Sequence, residues 1–493
     1  MLTERSESSP PNSHPFISKI LFGHQPTPEL LAILLVYAVQ GILGISRLAV
    51  SFFLKDELAL SPAQVAALMG IAALPWTIKP IFGFISDGLP IFGYRRRPYL
   101  ILSGLVGVAA WLSLATIVHT TTAATVAIVI TSLSVAVSDV IVDSLIVERA
   151  RDESLVDSGS IQSLCWGAAA VGGLLTAYAS GLLLEHFSTR TVFAITAIFP
   201  LLVSAAAFLI SEEPVTSAAG EGKAVVKDQI QQLWRALQQK AIWMPTLFLF
   251  LWQSTPTAET AFFYFSTNEL GFTPEFLGRV RLVTSLASLF GVWFFQRFLK
   301  TIPFRKIFLS TTLISAGLGM TLLLLVTHTN RSLGIDDHWF ALGDSLVLTI
   351  MGQLTFIPVL ILAARLCPPG IEATLFAMLM SVLNLSSLVS KEGGAILTHI
   401  LGVTDTNFDK LWLLVLITNI GSVLPLVFIQ MLPNEDPQLT AGAATSIPPA
   451  SAMEHPQTGI VGTQSFMPSI SPELLDRGLV VARLSLASSG FDG

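Results

Sequence analysis

Twelve runs of roughly 20 or more mostly apolar residues recur along the chain, each long enough to cross a bilayer as a helix. They lie near 29–54, 61–86, 98–119, 122–148, 159–184, 190–211, 243–266, 275–296, 304–326, 339–364, 371–398 and 408–432. Hydrocarbon offers the backbone no hydrogen-bond partner, so a run of this length is confined to helix. Only 12% of the 493 residues are charged, where a soluble domain carries roughly 25%. Mean hydropathy is +0.69. The expected fold class is therefore an all-α membrane protein of twelve transmembrane helices. The first run continues for about 25 residues, too long for a signal-peptide core, and no Ala-x-Ala site follows it, so it reads as a retained helix.

The connections are short except one. Residues 212–242 are polar and charged, and they divide the chain into two six-helix halves, 29–211 and 243–432. Residues 1–28 form a polar N-tail. Residues 433–493 are rich in Pro, Ala, Ser and Thr, the composition of a disordered tail; within it, 472–486 has the pattern of a short amphipathic helix. Basic residues set the orientation. With the N-terminus in the cytoplasm, the two tails and the even-numbered connections hold eighteen Lys and Arg, and the odd-numbered connections four (Lys55, Arg190, Arg331 and Lys410). Both termini are expected in the cytoplasm.

Other classes lack their signatures. Cys165 and Cys367 form no CxxC pair, and the eight histidines are scattered without metal-ligand spacing. There is no P-loop, no HExxH and no GxSxG elbow, which argues against an ATP-driven pump and a membrane hydrolase. No filter-like repeat suggests a channel. No cofactor and no nucleic-acid partner is expected.

The informative residues are the charges inside apolar runs: Arg47, Lys79, Asp139, Asp143, Glu259, Arg279, Arg281 and Lys391. Each costs about 2.5–3.5 kcal/mol at a helix centre, so such groups pair, face a water-filled cavity or bind a ligand. Lys79 lies roughly 25 Å along the second run and Asp139 roughly 24 Å along the fourth, on the same direction of travel. Asp143 follows one turn below Asp139. A Lys79–Asp139 or Lys79–Asp143 pair is expected, either as a brace or as a cluster that changes partners during transport. Arg47, Arg279 and Arg281 lie near the outer ends of their runs, where long side chains reach the interface. Lys391 and Glu392 are adjacent, point in different directions and each need a separate partner or water. Gln40, Gln162, Gln253, Gln353 and Asn384 add polar groups, and Pro75, Pro80, Pro245 and Pro358 interrupt helical hydrogen bonding.

After the second run the chain reads Gly83-Phe-Ile-Ser-Asp87, then Tyr94-Arg95-Arg96-Arg97. This resembles the Gly-x-x-x-Asp … Arg-Arg motif of the major facilitator superfamily, without the Arg directly after the Asp and with a longer insertion. A degraded copy, Gly291 … Gln296-Arg297 … Arg305-Lys306, follows the eighth run. The acid of such a motif can accept bonds from a neighbouring helix N-terminus and from Arg, so Gly83, Asp87, Arg95, Arg96 and Arg97 are candidates for a conformational latch. Within the superfamily, the stretches WTIKPIFGFISD (76–87), SDVIVDSLIVERAR (138–151) and SGSIQSLCWGAAAVGG (158–173) are similar to the folate–biopterin transporter family. The resemblance spans roughly 29–432 and is strongest in the first half.

That resemblance implies a secondary transporter of folates and related pterins, coupled to protons. It implies a monomer in the bacterial inner (plasma) membrane, or the plastid envelope if the chain is from a plant. Lys79, Asp139, Asp143, Glu148, Arg149, Gln162 and Trp166 sit at positions matching the family motifs. A carboxylate of Asp139, Asp143 or Glu259 can accept bonds from a pterin, and Lys79, Arg47 or Lys391 can meet the folate carboxylates. Trp166, Phe262, Phe263 or Tyr264 can stack on the ring. The rival readings are a carrier of another small organic ion, and a membrane receptor or enzyme that moves nothing.

Overall fold

In a computed structural model the described residues are 21, 24–151, 155–214, 231, 234–299, 302–366 and 372–433. Eleven helices among them are long and apolar enough to cross a membrane. Six belong to the first half: α1 Pro28–Glu57, α2 Pro62–Gly88, α3 Arg97–Thr116, α4 Thr121–Ile146, α5 Leu164–His186 and α6 Thr189–Leu209. The second half has α8 Pro274–Leu299, α9 Phe304–Val326, α10 Asp337–Ala363, α11 Leu375–Ile400 and α12 Leu411–Met431. The expected seventh crossing, 243–266, is two shorter helices, α7a Lys240–Gln253 and α7b Glu259–Asn268.

The sequence accounts for starts and breaks. Ser or Thr followed by Pro opens three crossings: Thr27 caps α1, Ser61 forms a capping box with Gln64 on α2, and Thr273 caps α8. The seventh crossing breaks at Pro256. Proline cannot donate to the carbonyl four residues back, and here the Trp252 carbonyl accepts instead from the Thr255 hydroxyl at 3.3 Å. Residues Ser254 to Ala258 leave the helix, and the Thr255 carbonyl accepts from Ser390 on α11 at 2.6 Å. The second crossing breaks by the same rule. It departs from helix at Ala73 and at Ile78 (φ −102°, ψ 15°), around Pro75 and Pro80. The Trp76 carbonyl, deprived of a donor by Pro80, accepts from the Asn384 side chain of α11 at 3.1 Å.

Each half packs around its own apolar clusters. On the side bearing the N-terminus, hereafter the basic side, Leu30, Val36, Leu100, Ile141, Cys165 and Val203 form one core. Toward the far side Phe53, Trp111 and Phe193 interlock, with ring centroids 5.4 and 5.7 Å apart. In the second half Phe248, Phe308 and Leu362 pack on the basic side, and Phe265, Leu414 and Val415 on the far side. Outward-facing residues such as Leu175, Phe208 and Val427 remain largely exposed, as lipid-facing positions should.

The halves meet where α5 lies on α8 and where α2 lies on α11. The tightest of these approaches are in the far part. A Cβ on Gly181 of α5 would stand 2.2 Å from the Pro274 carbonyl of α8. The fully buried Tyr264 of α7b donates its hydroxyl to the Leu60 carbonyl before α2, and Phe263 meets Phe52 edge-on at 5.4 Å.

Candidate transport site

A charged cluster midway along the helices of the first half is built by three helices at one depth. Lys79 opens the last segment of α2, Asp139 and Asp143 lie one turn apart on α4, and Tyr37 comes from α1. Measured from the basic ends of their helices, Tyr37 and Lys79 are each roughly 14 Å deep. The Lys79 ammonium is bonded to the Asp139 carboxylate, and it lies 3.7 Å from Asp143 Oδ2. The Tyr37 hydroxyl donates to Asp143 Oδ1. Because helix is interrupted at Ile78, the Trp76 ring comes beneath Lys79, with Nζ 5.2 Å from its centroid, a cation–π distance.

Exposure within the cluster is uneven. The side chains of Lys79 and Asp139 are 18% and 10% exposed, and that of Asp143 is 46%. Lys79 and Asp139 therefore neutralise each other out of solvent, while Asp143 is the more exposed acid, with its two oxygens turned to Tyr37 and Lys79. One cation facing two carboxylates leaves the group one negative charge in excess when all three are ionised. Tyr37, a lone hydroxyl in an apolar helix, and Trp76, directly before Thr77-Ile78-Lys79, were not among the expected site residues. The signal for both was depth: each falls level with Lys79.

The other expected residues distribute differently. Arg47 is exposed and forms no ion pair among the described residues. Glu259 is exposed too, and it occupies the first turn of α7b rather than mid-helix, where its charge suits the helix dipole. Lys391 also lacks an ion-pair partner among the described residues. Trp166 is 53% exposed on α5 and makes no ring or cation–π contact among the described residues. Phe263 and Tyr264 are committed to the far-side contact between halves, so neither is available for stacking on a ligand. The side chains of Glu148, Arg149 and Gln162 lie outside the described residues, as does Cys367 and the 472–486 stretch. Gln353 donates to Ser288 at 3.4 Å. Gln40 Nε2 and Gln253 Oε1 are buried without a partner among the described residues. Arg279 and Arg281 do not behave alike. Arg279 is exposed and pairs with Glu275 at 2.5 Å, whereas Arg281 turns inward and donates to the Gly44 carbonyl of α1 at 3.1 Å and to Ser180 of α5 at 3.0 Å.

On the basic side the motif after α2 has an arrangement of its own. Asp87 pairs with Arg96 at 2.7 Å, and the same guanidinium donates to Ser86. The expectation that Asp87 also receives a neighbouring helix N-terminus is corrected. Glu212, just after α6, takes that place: its carboxylate accepts the backbone N–H groups of Arg95 at 2.5 Å, Arg96 at 3.0 Å and Arg97 at 3.0 Å. Pro98 fixes the start of α3, so those amides project together and form an anion nest. Arg97 ties the same corner to the Ala207 carbonyl of α6.

Residues 40–449 match the BT1 family. The chain belongs to that family. A folate-biopterin transporter of Synechocystis sp. (strain ATCC 27184 / PCC 6803 / Kazusa) is 61% identical over 466 residues, covering 92% of this chain and 94% of that one. A probable folate-biopterin transporter 2 of Arabidopsis thaliana is 34% identical, covering 80% and 81%. Folate transporter 2 of Plasmodium falciparum is 30% identical, covering 82% and 88%. Among solved structures, the D-xylose-proton symporter superposes with a TM-score of 0.61 at 14% identity, over 82% of this chain and 98% of that one. The nucleoside transporter NupG gives 0.57 at 14%, over 82% and 98%. The fold is that of the major facilitator superfamily. This BT1 member is a multi-pass membrane transporter of a small molecule, not an enzyme.

Proposed function

We propose that this chain carries folates and related pterins across the cytoplasmic membrane by alternating access, in company with protons. The observation that carries the reading is the Lys79–Asp139–Asp143 cluster, set beside Tyr37 and Trp76, in a chain 61% identical to a folate-biopterin transporter. The chemistry suits the cargo. Folate joins a planar pterin to a glutamate with two carboxylates. Asp143, the more exposed of the two acids, can accept from the pterin amino group and a ring nitrogen, while Lys79 can exchange Asp139 for a folate carboxylate. Trp76 offers a ring face at the same level. The negative charge in excess within the cluster suits the hydrogen-bond donors of the pterin.

The tight far-side contacts between α5 and α8, and between α7b and the chain before α2, correspond to a state closed on that side. By the distribution of basic residues the far side is the outside, so the cluster is approached from the cytoplasm in this state. Moving the cargo then requires those contacts to part while the halves rock about their shared interface.

The test is uptake of labelled folate by cells lacking a folate carrier of their own, expressing this chain or its Lys79→Ala or Asp139→Asn variant at equal membrane levels. Saturable uptake that competing pterins reduce, and that both variants lose, is the expected result. No uptake by well-expressed wild type sinks the folate reading. Uptake unchanged in both variants removes the cluster from the path.

A further inference from the structure

Ser390-Lys391-Glu392-Gly393-Gly394 lies in the far part of α11, where three crossings converge. A Cβ on Gly394 would stand 2.1 Å from the Thr257 carbonyl, so that position must be glycine for α11 to seat the break between α7a and α7b, and one on Gly393 would stand a tight 3.1 Å from the Pro256 ring. Ser390 fastens the same break through the Thr255 carbonyl. Glu392 points the other way, across to the first half. Its Oε1 lies where a side chain on Gly70 of α2 would begin, 2.3 Å from the position of that Cβ. Glu392 thus spans the contact between halves, roughly 12 Å below the far end of α11.

Among the described residues nothing donates to this carboxyl. The facing stretch Pro62–Ala72 of α2 holds no charged residue. Lys79, farther along α2, is engaged by Asp139, and Asp87 at its end by Arg96. Lys240 of α7a and Glu259 of α7b are exposed and form no ion pair with it. On α10, Asp337 is held by Arg331 and Asn330, Asp344 by Thr321, and His338 lies by Asp336. α12 carries no titratable group, with Lys410 just before it, and neighbouring Lys391 and His399 of α11 itself form no ion pair with it among the described residues. A carboxylate without a counter-ion at this depth of a membrane-spanning helix costs more ionised than protonated, and such groups mark proton or cargo pathways.

We propose that Glu392 is the proton-carrying group of the transport cycle, taking up a proton before the far side closes and releasing it toward the basic side before the far side reopens. This rests on the reading of the chain as a proton-coupled carrier. Protonation makes the Glu392–Gly70 contact tolerable and favours the far-closed state; ionisation weakens it and favours the far-open state, so each form selects one of two pre-existing conformations. The glycines and Ser390 link that choice to the α7 break. The Lys79 cluster is left to bind the cargo.

The experiment uses the full chain in proteoliposomes, with labelled folate and two assays, accumulation driven by an imposed proton gradient and folate–folate counterflow at equal pH. Wild type should do both. Glu392→Gln, which keeps the size of the neutral acid, should keep counterflow and lose accumulation above the outside concentration. Glu392→Asp should keep both with a displaced pH profile. Gradient-driven accumulation by Glu392→Gln overturns the inference while leaving proton-coupled transport in place. So does loss of counterflow in both variants, which assigns Glu392 to folding or cargo binding. Wild type that exchanges folate but ignores the gradient overturns it together with proton coupling, and wild type that moves no folate overturns the transport reading first.

Discussion

Removing Lys79 leaves Asp139 without its partner, at 10% exposure, beside a second carboxylate one turn away. Breaking a buried pair by deleting one member costs about 3–5 kcal/mol. The 3.7 Å contact to the half-exposed Asp143 adds no more than about 1 kcal/mol. Lys79→Met should therefore lower stability by about 3–5 kcal/mol, mostly through Asp139. Adding Asp139→Asn removes the stranded charge, and the double variant should recover a coupling energy of about 2–3 kcal/mol. Transport should not recover, because the pair is proposed to trade partners with the cargo. Thermal unfolding in detergent reads the first quantity and folate uptake at matched membrane levels reads the second. Wild-type stability in Lys79→Met would refute the electrostatic argument. Full recovery of uptake in the double variant would show that the pair only braces α2 against α4.

Glu212→Ala strips the acceptor from three backbone N–H groups at the start of α3 and should cost about 1–2 kcal/mol, the range for a lost helix cap, with thermal stability as the readout; Asp87→Ala should cost less, since Asp87 is half-exposed. Gly181→Leu cannot fit against the Pro274 carbonyl, so it should hold α5 and α8 apart. Cysteines placed in the far part of α8 should then react faster with an impermeant reagent from outside, while net uptake falls; unchanged labelling would count against a closed far side.

Much of the fold is legible in the sequence because lipid leaves a long apolar run a single outcome. The level of Lys79 with Asp139 was legible for the same reason, since a fixed rise per residue converts numbering into depth. What sequence spacing misses is direction around a helix and choice among equivalent acids. Arg279 and Arg281 share a depth, but two residues turn about 200° around the axis, so one faces Glu275 and the other faces α1 and α5. Asp87 and Glu212 are both acids on the basic side near α3, and only the three-dimensional path after α6 selects Glu212 for the helix start. The division of the seventh crossing was signalled by Thr255-Pro256-Thr257, but hydropathy alone reads through it. Glu259 and the aromatic residues behind it were misplaced as a result: with the helix restarted, Glu259 opens α7b and Tyr264 turns into the contact between halves.

The most direct test of the central claim is labelled-folate uptake into liposomes containing lipid and this purified chain alone. Saturable uptake, reduced by unlabelled biopterin and abolished by Lys79→Ala at equal reconstitution, is the predicted result. Flux no greater than that of protein-free liposomes, or flux that rises linearly with folate and ignores biopterin, would contradict it.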